Sequence, residues 1–358
     1  MNIIHLVSNK VWGGGERYVL DLCRYMNAQG HSVAVISRGI DAVDAPFREA
    51  GFTPGRLPLG GVFDFISPVR LARVLDRTAA PVIVHVHNFK DARTALRARR
   101  LMADSSKVRV VMTRHLVRPA KNDRSHNELY NSLDALIFVS ETARRKFMSG
   151  KPAVDESRIV VVPPAVPAHP VTPLSREEGE FRVVFAGRLH PEKGLDKLLE
   201  AFVGMPENAR LHIVGSGSPR CETEYRRKAF SLGISQRVVW HGHVDDPLPL
   251  MASANAGVLP SLVAESFGLA VLEFMQCGVP VVASSGGGPA EIIEDGKDGI
   301  LVPPGDVAAL HKALMSLSQS PQACAAMGRN AARKAADDYA YNKFAGSIYE
   351  IYERVCHE

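Results

Sequence analysis

Short apolar runs alternate with amphipathic stretches along this chain, in two series split by a crowd of prolines, and that rhythm leaves few folds open. Residues 3–7 are an apolar run that predicts a strand buried on both faces. A glycine turn, Gly13-Gly14-Gly15, follows it. Val19, Leu22, Cys23 and Met26 then recur at helical spacing, and Gly30 is the kind of residue at which helices stop. Residues 33–36 predict the next strand. Parallel strands need such a crossover, so this opening reads as a strand–helix–strand unit of a parallel sheet. Residues 82–86, 108–112 and 136–139 repeat the strand signal.

Pro163, Pro164, Pro167, Pro170 and Pro173 then crowd together, followed by Ser175-Arg176-Glu177-Glu178-Gly179. Proline removes donors and stiffens the chain, so the stretch reads as a linker. Beyond it the alternation restarts: strands at 182–186, 211–214, 238–240, 256–259, 279–283 and 299–302, with a helix at 195–202. The expected organisation is an α/β chain of two Rossmann-like, doubly wound parallel-sheet domains. They occupy 1–165 and 180–340, with a linker at 166–179 and a C-terminal helix at 341–358 whose stripe is Phe344, Ile348, Ile351 and Val355. A cleft between two such domains is the default place for a ligand.

Composition narrows the class. A length of 358 residues suits two domains, and 46% hydrophobic with 23% charged residues excludes a disordered or low-complexity chain. The five cysteines (Cys23, Cys221, Cys277, Cys324, Cys356) are odd in number and none forms Cys-x-x-Cys. A disulfide framework or zinc site is not expected, and a reducing, cytoplasmic compartment is. The N-terminus lacks a basic region and reads as a first strand, not a signal peptide. No apolar run approaches the ~18 residues of a membrane span. Residues 1–175 carry 25 Lys+Arg against 15 Asp+Glu, and residues 176–358 carry 18 against 23. A surplus on one half points to an anionic partner there, or simply to a solvated arginine-rich surface.

The densest chemistry lies at residues 260–273. A strand ends at Pro260, and a helix is expected to begin near Glu265–Ser266 and to stop at Gly278. First-turn amides lack internal partners and suit a phosphate, and Gly268 lets a ligand approach the backbone. Glu265 and Glu273 would then lie about 12 Å apart along one helix, within roughly 80° of one face. One could meet a sugar and the other a ribose, or both are ordinary helix-surface glutamates. Gly187-Arg188 closes a strand and Lys193-Gly194 opens a helix. Two cations at the C-terminal edge of a parallel sheet could neutralise a pyrophosphate, or serve as plain loop charges. Ser284-Ser285-Gly286-Gly287-Gly288 reads as a further glycine-rich loop on the phosphate side.

These motifs occur in a telling order: Gly187-Arg188, Lys193-Gly194, Gly215-Ser216-Gly217, His241-Gly242-His243-Val244, Glu265 with Glu273, then Gly278-Val279-Pro280. In that order they resemble the retaining GT-B glycosyltransferases of family 4, over nearly all of residues 180–310 and more loosely before it. The resemblance implies the GT-B fold, with the C-terminal helix packing back on the N-terminal domain. It implies that Arg188 and Lys193 clamp the donor diphosphate, with Gly187 and Gly215 beside it. Glu273 would hold the ribose and Glu265 would lie by the donor sugar. Backbone of Ser266, Phe267, Gly268 and Leu269 would supply amides, and main chain near His243 and Val244 would meet the base. The first domain would take the acceptor, through Gly14, Gly15 and Glu16, with His87 and His115 approaching the sugar. The catalytic set so implied is His115, Glu265, Arg188 and Lys193.

No Asp-x-Asp occurs, so neither a metal nor a resident cofactor is expected, and the co-substrate is a nucleotide sugar, UDP-linked first and GDP-linked second. Cations and helix-start amides can stabilise the leaving diphosphate directly. The expected acceptor is a glycan or lipid-linked molecule of bacterial cell-surface polysaccharide or lipopolysaccharide synthesis. Arg93, Arg97, Arg99, Arg100, Arg109, Arg114, Arg118, Lys121 and Arg124 mark the first half as a surface for anionic lipid at the inner face of the plasma membrane. Nucleic acid is not expected, since no binding signature accompanies the charge. An epimerase or phosphorylase of the same fold, or a non-catalytic nucleotide-sugar-binding module, are the alternatives, and the oligomeric state is left open.

Overall fold

The strand signals resolve, in a computed structural model, into two parallel sheets. The structure describes residues 1–61 and 63–357. The first sheet holds β1 (Asn2–Val7), β2 (Ser32–Ser37), β3 (Gly55–Arg56), β4 (Val82–Val86), β5 (Val108–Arg114), β6 (Ala135–Phe138) and β7 (Ile159–Val161), in the order β3-β2-β1-β4-β5-β6-β7. The second holds β8 (Phe181–Ala186), β9 (Ala209–Val214), β10 (Val238–Gly242), β11 (Ala256–Leu259), β12 (Val281–Ser284) and β13 (Gly299–Val302), in the order β10-β9-β8-β11-β12-β13. β4 is buried along its whole length, as a strand covered by helices on both faces must be.

Both orders reverse once. The chain winds from β1 to β2 to β3 on one side, then jumps back to lay β4 against β1 in register, His5 opposite His85. In the second sheet β8, β9 and β10 wind one way before β11 returns to pair with β8. A parallel sheet opens a crevice at the C-terminal strand ends where winding reverses. Those ends are β1 with β4, and β8 with β11.

Two compact units form: Met1–Pro164 with Tyr341–Glu358, and Ala165–Ala340. The proline-rich stretch is held by the second unit. Leu174 N–H donates to Pro249 O at 3.0 Å, and Gln276 Nε2 to Val166 O at 2.7 Å. The C-terminal helix Tyr341–His357 packs on the first sheet, and Glu358 lies outside the described residues. Phe344, Ile348, Ile351 and Val355 are all buried, together with Tyr352. The Tyr352 hydroxyl lies 2.6 Å from His85 Nδ1, and Arg109 Nε donates to Val355 O at 2.6 Å. No helix among the described residues is long and apolar enough to cross a membrane.

Candidate active site

In the second unit, close glycine contacts draw the strand ends together. Gly187 N–H donates to Val214 O, and Gly215 N–H to Gly242 O, at 3.0 and 2.7 Å. Gly215 has φ +126°, and a Cβ there would stand 1.9 Å from Gly187 O. Gly194, at φ +68°, lies so close to the end of β11 that a Cβ would meet Pro260 O at 2.0 Å. Side chains at these positions would push β8, β9 and β11 apart.

That closeness joins residues separated by a whole strand–helix series. Lys193 Nζ donates to Glu265 Oε1 at 2.6 Å, both side chains being largely buried. Ser261 Oγ donates to the same carboxylate oxygen. Leu262 N–H closes the arrangement on Glu192 O at 2.8 Å. Arg188 is exposed at the end of β8, with no ion pair among the described residues. The crevice at the β8/β11 reversal thus presents an open guanidinium and an ammonium held by a carboxylate.

The helix expected to begin near Glu265 begins later, at Leu269–Gln276. Gly268 caps it at φ +99°, a left-handed conformation that a helix residue cannot take. Glu265 and Ser266 therefore belong to the preceding loop, and the one-helix geometry drawn for Glu265 and Glu273 does not hold. Glu273 remains helical. Glu265 instead forms a parallel bridge with Gly287, and its carbonyl accepts from Gly288 N–H at 2.9 Å. Packing alone already requires glycine at 287 and 288. A Cβ at Gly287 or Gly288 would lie 2.2 Å from Glu265 O or Phe267 Cα. Phe267 is buried and Leu269 opens the helix, so the amides of this turn directly follow Glu265 in the chain. His243 and Val244 follow the end of β10, His243 exposed with Nε2 3.5 Å from Asp245 Oδ1.

In the first unit, Gly14, Gly15 and Glu16 are not a loop. They form the first turn of the helix Gly14–Ala28, capped by Gly13. Glu16 is buried, accepts from Asn9 Nδ2, and burial pushes its carboxyl above the usual range. It ties the loop leaving β1 to the helix. His87 follows β4 and His115 follows β5, and Nδ1 of His87 lies 3.3 Å from Nε2 of His115. Both rings are held neutral by desolvation, His115 with its pKa lowered to about 4.

Sequence reasoning missed what stands behind them. His5 Nδ1 is 3.2 Å from His87 Nε2, and His85 bonds Tyr352 and, at 2.8 Å, Thr113 Oγ1. The two-residue spacing of His85 and His87, and of Thr113 and His115, places each pair on one strand face. Only strand order brings His5 beside them. His5, His85 and His87 offer ring nitrogens within 4.8 Å of one another, the spacing of a metal site. Both nitrogens of His85 are already committed to hydroxyls, so the rings suit a hydrogen-bonded chain better than a ligand set.

Three of the nine residues of the basic cluster serve the fold. Arg99 pairs with Asp134 at 2.6 Å, and Arg109 holds the C-terminal helix. Arg114 is buried with its guanidinium 4.9 and 5.0 Å from the Phe89 and Phe147 rings. These three arginines are correspondingly lost to any partner surface.

Two parallel sheets, each with a polar crevice at its reversal, and a C-terminal helix returned to the first, describe a GT-B enzyme. Comparison with known proteins agrees: residues 12–169 match the model Glycosyltransferase Family 4 and residues 172–334 match Glycosyl transferases group 1. The chain belongs to glycosyltransferase family 4 and is a glycosyltransferase. It is 29% identical to the D-inositol 3-phosphate glycosyltransferase of Mycolicibacterium paratuberculosis, over 97% of this chain and 86% of that one. It is 30% identical to the protein of the same description from Mycobacterium sp. strain KMS, over 82% and 75%. Its fold superposes on Anabaena HepE, crystallised with UDP and glucose, with a TM-score of 0.83, 19% identity, and 98% and 99% of the chains covered.

Proposed function

We propose that this enzyme moves a sugar, with retention and without a bound metal, from a nucleotide sugar to a glycan or lipid-linked acceptor of bacterial cell-surface polysaccharide or lipopolysaccharide synthesis. The observation that carries the reading is the β8/β11 reversal, which sets Arg188, Lys193 and Glu265 at one crevice. Arg188 and Lys193 take the diphosphate and offset the charge that builds on it as the bond to the sugar breaks. Glu265, fixed by Lys193 and Ser261, lies by the donor sugar, and Glu273 holds the ribose. Gly187, Gly215 and the 266–269 backbone shape the pocket, and main chain at His243 and Val244 meets the base. Gly14, Gly15, Glu16, His87 and His115 serve the acceptor side. UDP-sugars are the first donor choice, supported by the UDP bound in a protein of the same fold, and GDP-sugars the second. The relatives' name supports a polyol phosphate as a further acceptor to try.

A thermal-shift screen of nucleotide sugars tests this, because a ligand of the native state raises the melting temperature. UDP- or GDP-sugars should raise it, and Glu273→Ala should reduce the rise. A rise unchanged in Glu273→Ala would overturn the ribose assignment. Acceptor-dependent release of nucleoside diphosphate separates transfer from epimerisation and from binding alone.

The same reading places the enzyme at an anionic membrane surface, through the first unit. What supports this, beside the exposed Arg100, Arg118, Lys121 and Arg124 of the basic cluster, is the helix Ile66–Arg77. Its buried face is Ser67, Pro68, Leu71, Ala72 and Leu75. Its outer face carries Ile66, Val69 and Val74 among Arg70, Arg73 and Arg77, and Phe63 and Phe65 just before it are 88% and 73% exposed. Apolar wedges between arginines match the chemistry of an anionic lipid interface. The chain should float with anionic but not neutral vesicles, and Phe63→Ser with Phe65→Ser should leave it at the bottom. Equal absence from both floated fractions would overturn the placement.

A further inference from the structure

We propose that His5, His87 and His115 form a head-to-tail hydrogen-bonded chain in which the core ring sets the tautomer of the site ring, so that His115 presents Nδ1–H, a donor. His5 and His87 are then positioning residues, and His115 contributes a hydrogen-bond donor to a substrate oxygen rather than a general base. The proposal rests on the reading of His115 as a site residue, and deepens it.

The geometry leaves two arrangements. A neutral imidazole has one N–H and one lone pair. His5 Nδ1 meets His87 Nε2 at 3.2 Å, and His87 Nδ1 meets His115 Nε2 at 3.3 Å, so each ring passes its polarity to the next. Either every N–H points outward along the chain, or every one points inward. The inner end decides between them. His5 Nε2 is buried and has no hydrogen-bond partner among the described residues. The neighbouring ring, His85, lies 5.1 Å away by ring centroids, but both its nitrogens are already bonded. The inward arrangement would strand an N–H at His5 Nε2, whereas the outward one strands only a lone pair. Orphaned buried N–H groups are the rarer of the two in proteins. The outward chain therefore has His5 Nδ1–H donating to His87, His87 Nδ1–H donating to His115, and His115 Nδ1–H left to donate.

The surroundings hold the rings to this register. His5 and His87 are stacked, with centroids 5.5 Å apart and planes 16° from parallel. Tyr18 stands edge-on to His87 and His115 at 5.8 and 4.9 Å, and its hydroxyl lies 3.3 Å from Thr113 Oγ1, away from the chain. Burial also keeps all three rings uncharged, so no extra proton breaks the alternation.

Ring 15N–1H correlation spectra of the full chain with 15N-labelled histidine, at pH 7.5 and without substrate, test this directly, since they show which nitrogen of each ring carries the proton. His5, His87 and His115 should all appear as Nδ1–H tautomers. His87→Phe, at a half-buried position, should release His115 to the Nε2–H form that free histidine favours. His5→Phe, if it folds, should leave His87 and His115 as tautomer mixtures. An Nε2–H signal from His115 in the unsubstituted chain would overturn the proposal. So would an Nδ1–H signal at His115 that survives His87→Phe. Acceptor-dependent transfer by His115→Ala is a separate measurement: intact transfer there would remove His115 from the site while leaving the tautomer result standing.

Discussion

Lys193 and Glu265 were each singled out in the sequence, but their pairing was not legible there. Each was noticed for its own chemistry, a cation after a strand and a carboxylate near a helix start. At 2.6 Å they form one device, and Ser261, which no motif marked, completes it. Ser261 is an ordinary residue in sequence, made distinctive only by the carboxylate four positions on. The pairing has kinetic consequences. Glu265→Gln keeps the shape but releases the ammonium, so turnover should fall by about 10²-fold while nucleotide binding changes little. Lys193→Ala removes the cation proposed for the diphosphate and strands a largely buried carboxylate, so both should suffer. Steady-state kinetics beside nucleotide thermal shifts distinguish the two patterns. Equal losses in both variants would dissolve the division of labour.

At the scale of elements, apolar patterning placed every strand of the second sheet to within two residues, because burial on both faces writes itself into local sequence. The start of the helix Leu269–Gln276 was misplaced for an equally physical reason. The pattern from Ser266 to Leu269 suits a helix, but Gly287 and Gly288 press on this loop and Gly268 takes a left-handed turn. Tertiary contact thereby overrides local propensity. Gly215 shows how much such a contact is worth. Gly233 also has positive φ, at +70°, but nothing lies within 4 Å of a Cβ there. Gly233→Ala should cost about 1 kcal/mol from backbone conformation alone. Gly215→Ala adds the collision with Gly187 O and should cost about 3 kcal/mol, with weaker nucleotide binding besides. Urea midpoints of the two variants give the comparison, and equal shifts would show that the strand ends are not held by this contact.

For the whole molecule, the buried histidines of the first unit make acid a denaturant. His5, His85, His87 and His115 are kept neutral by burial, His115 with a pKa near 4 against an ordinary 6.5 and His5 near 3. The unfolded chain takes up these protons below about 6.5 and the folded chain does not. Their contribution to stability is therefore full above about 6.5 and is lost as pH falls toward 4 and 3. Asp91, raised to about 6, and Glu16 act in the opposite sense, since the folded chain keeps their protons longer. Four histidines against two carboxyls leave a net loss, so the urea midpoint should fall between pH 7 and pH 5. A flat profile would mean the rings are not held neutral. The amino-acid sequence by itself determined most of the strands and the class of enzyme, and marked the residues proposed for its donor crevice, because periodicity and short motifs act within a few positions of one another. Tertiary structure alone decided which strand ends meet. Sheet order sets β4 beside β1 and β11 beside β8, across long stretches of chain, and so makes a chain of three histidines and a Lys–Glu–Ser cluster from residues that share no local pattern.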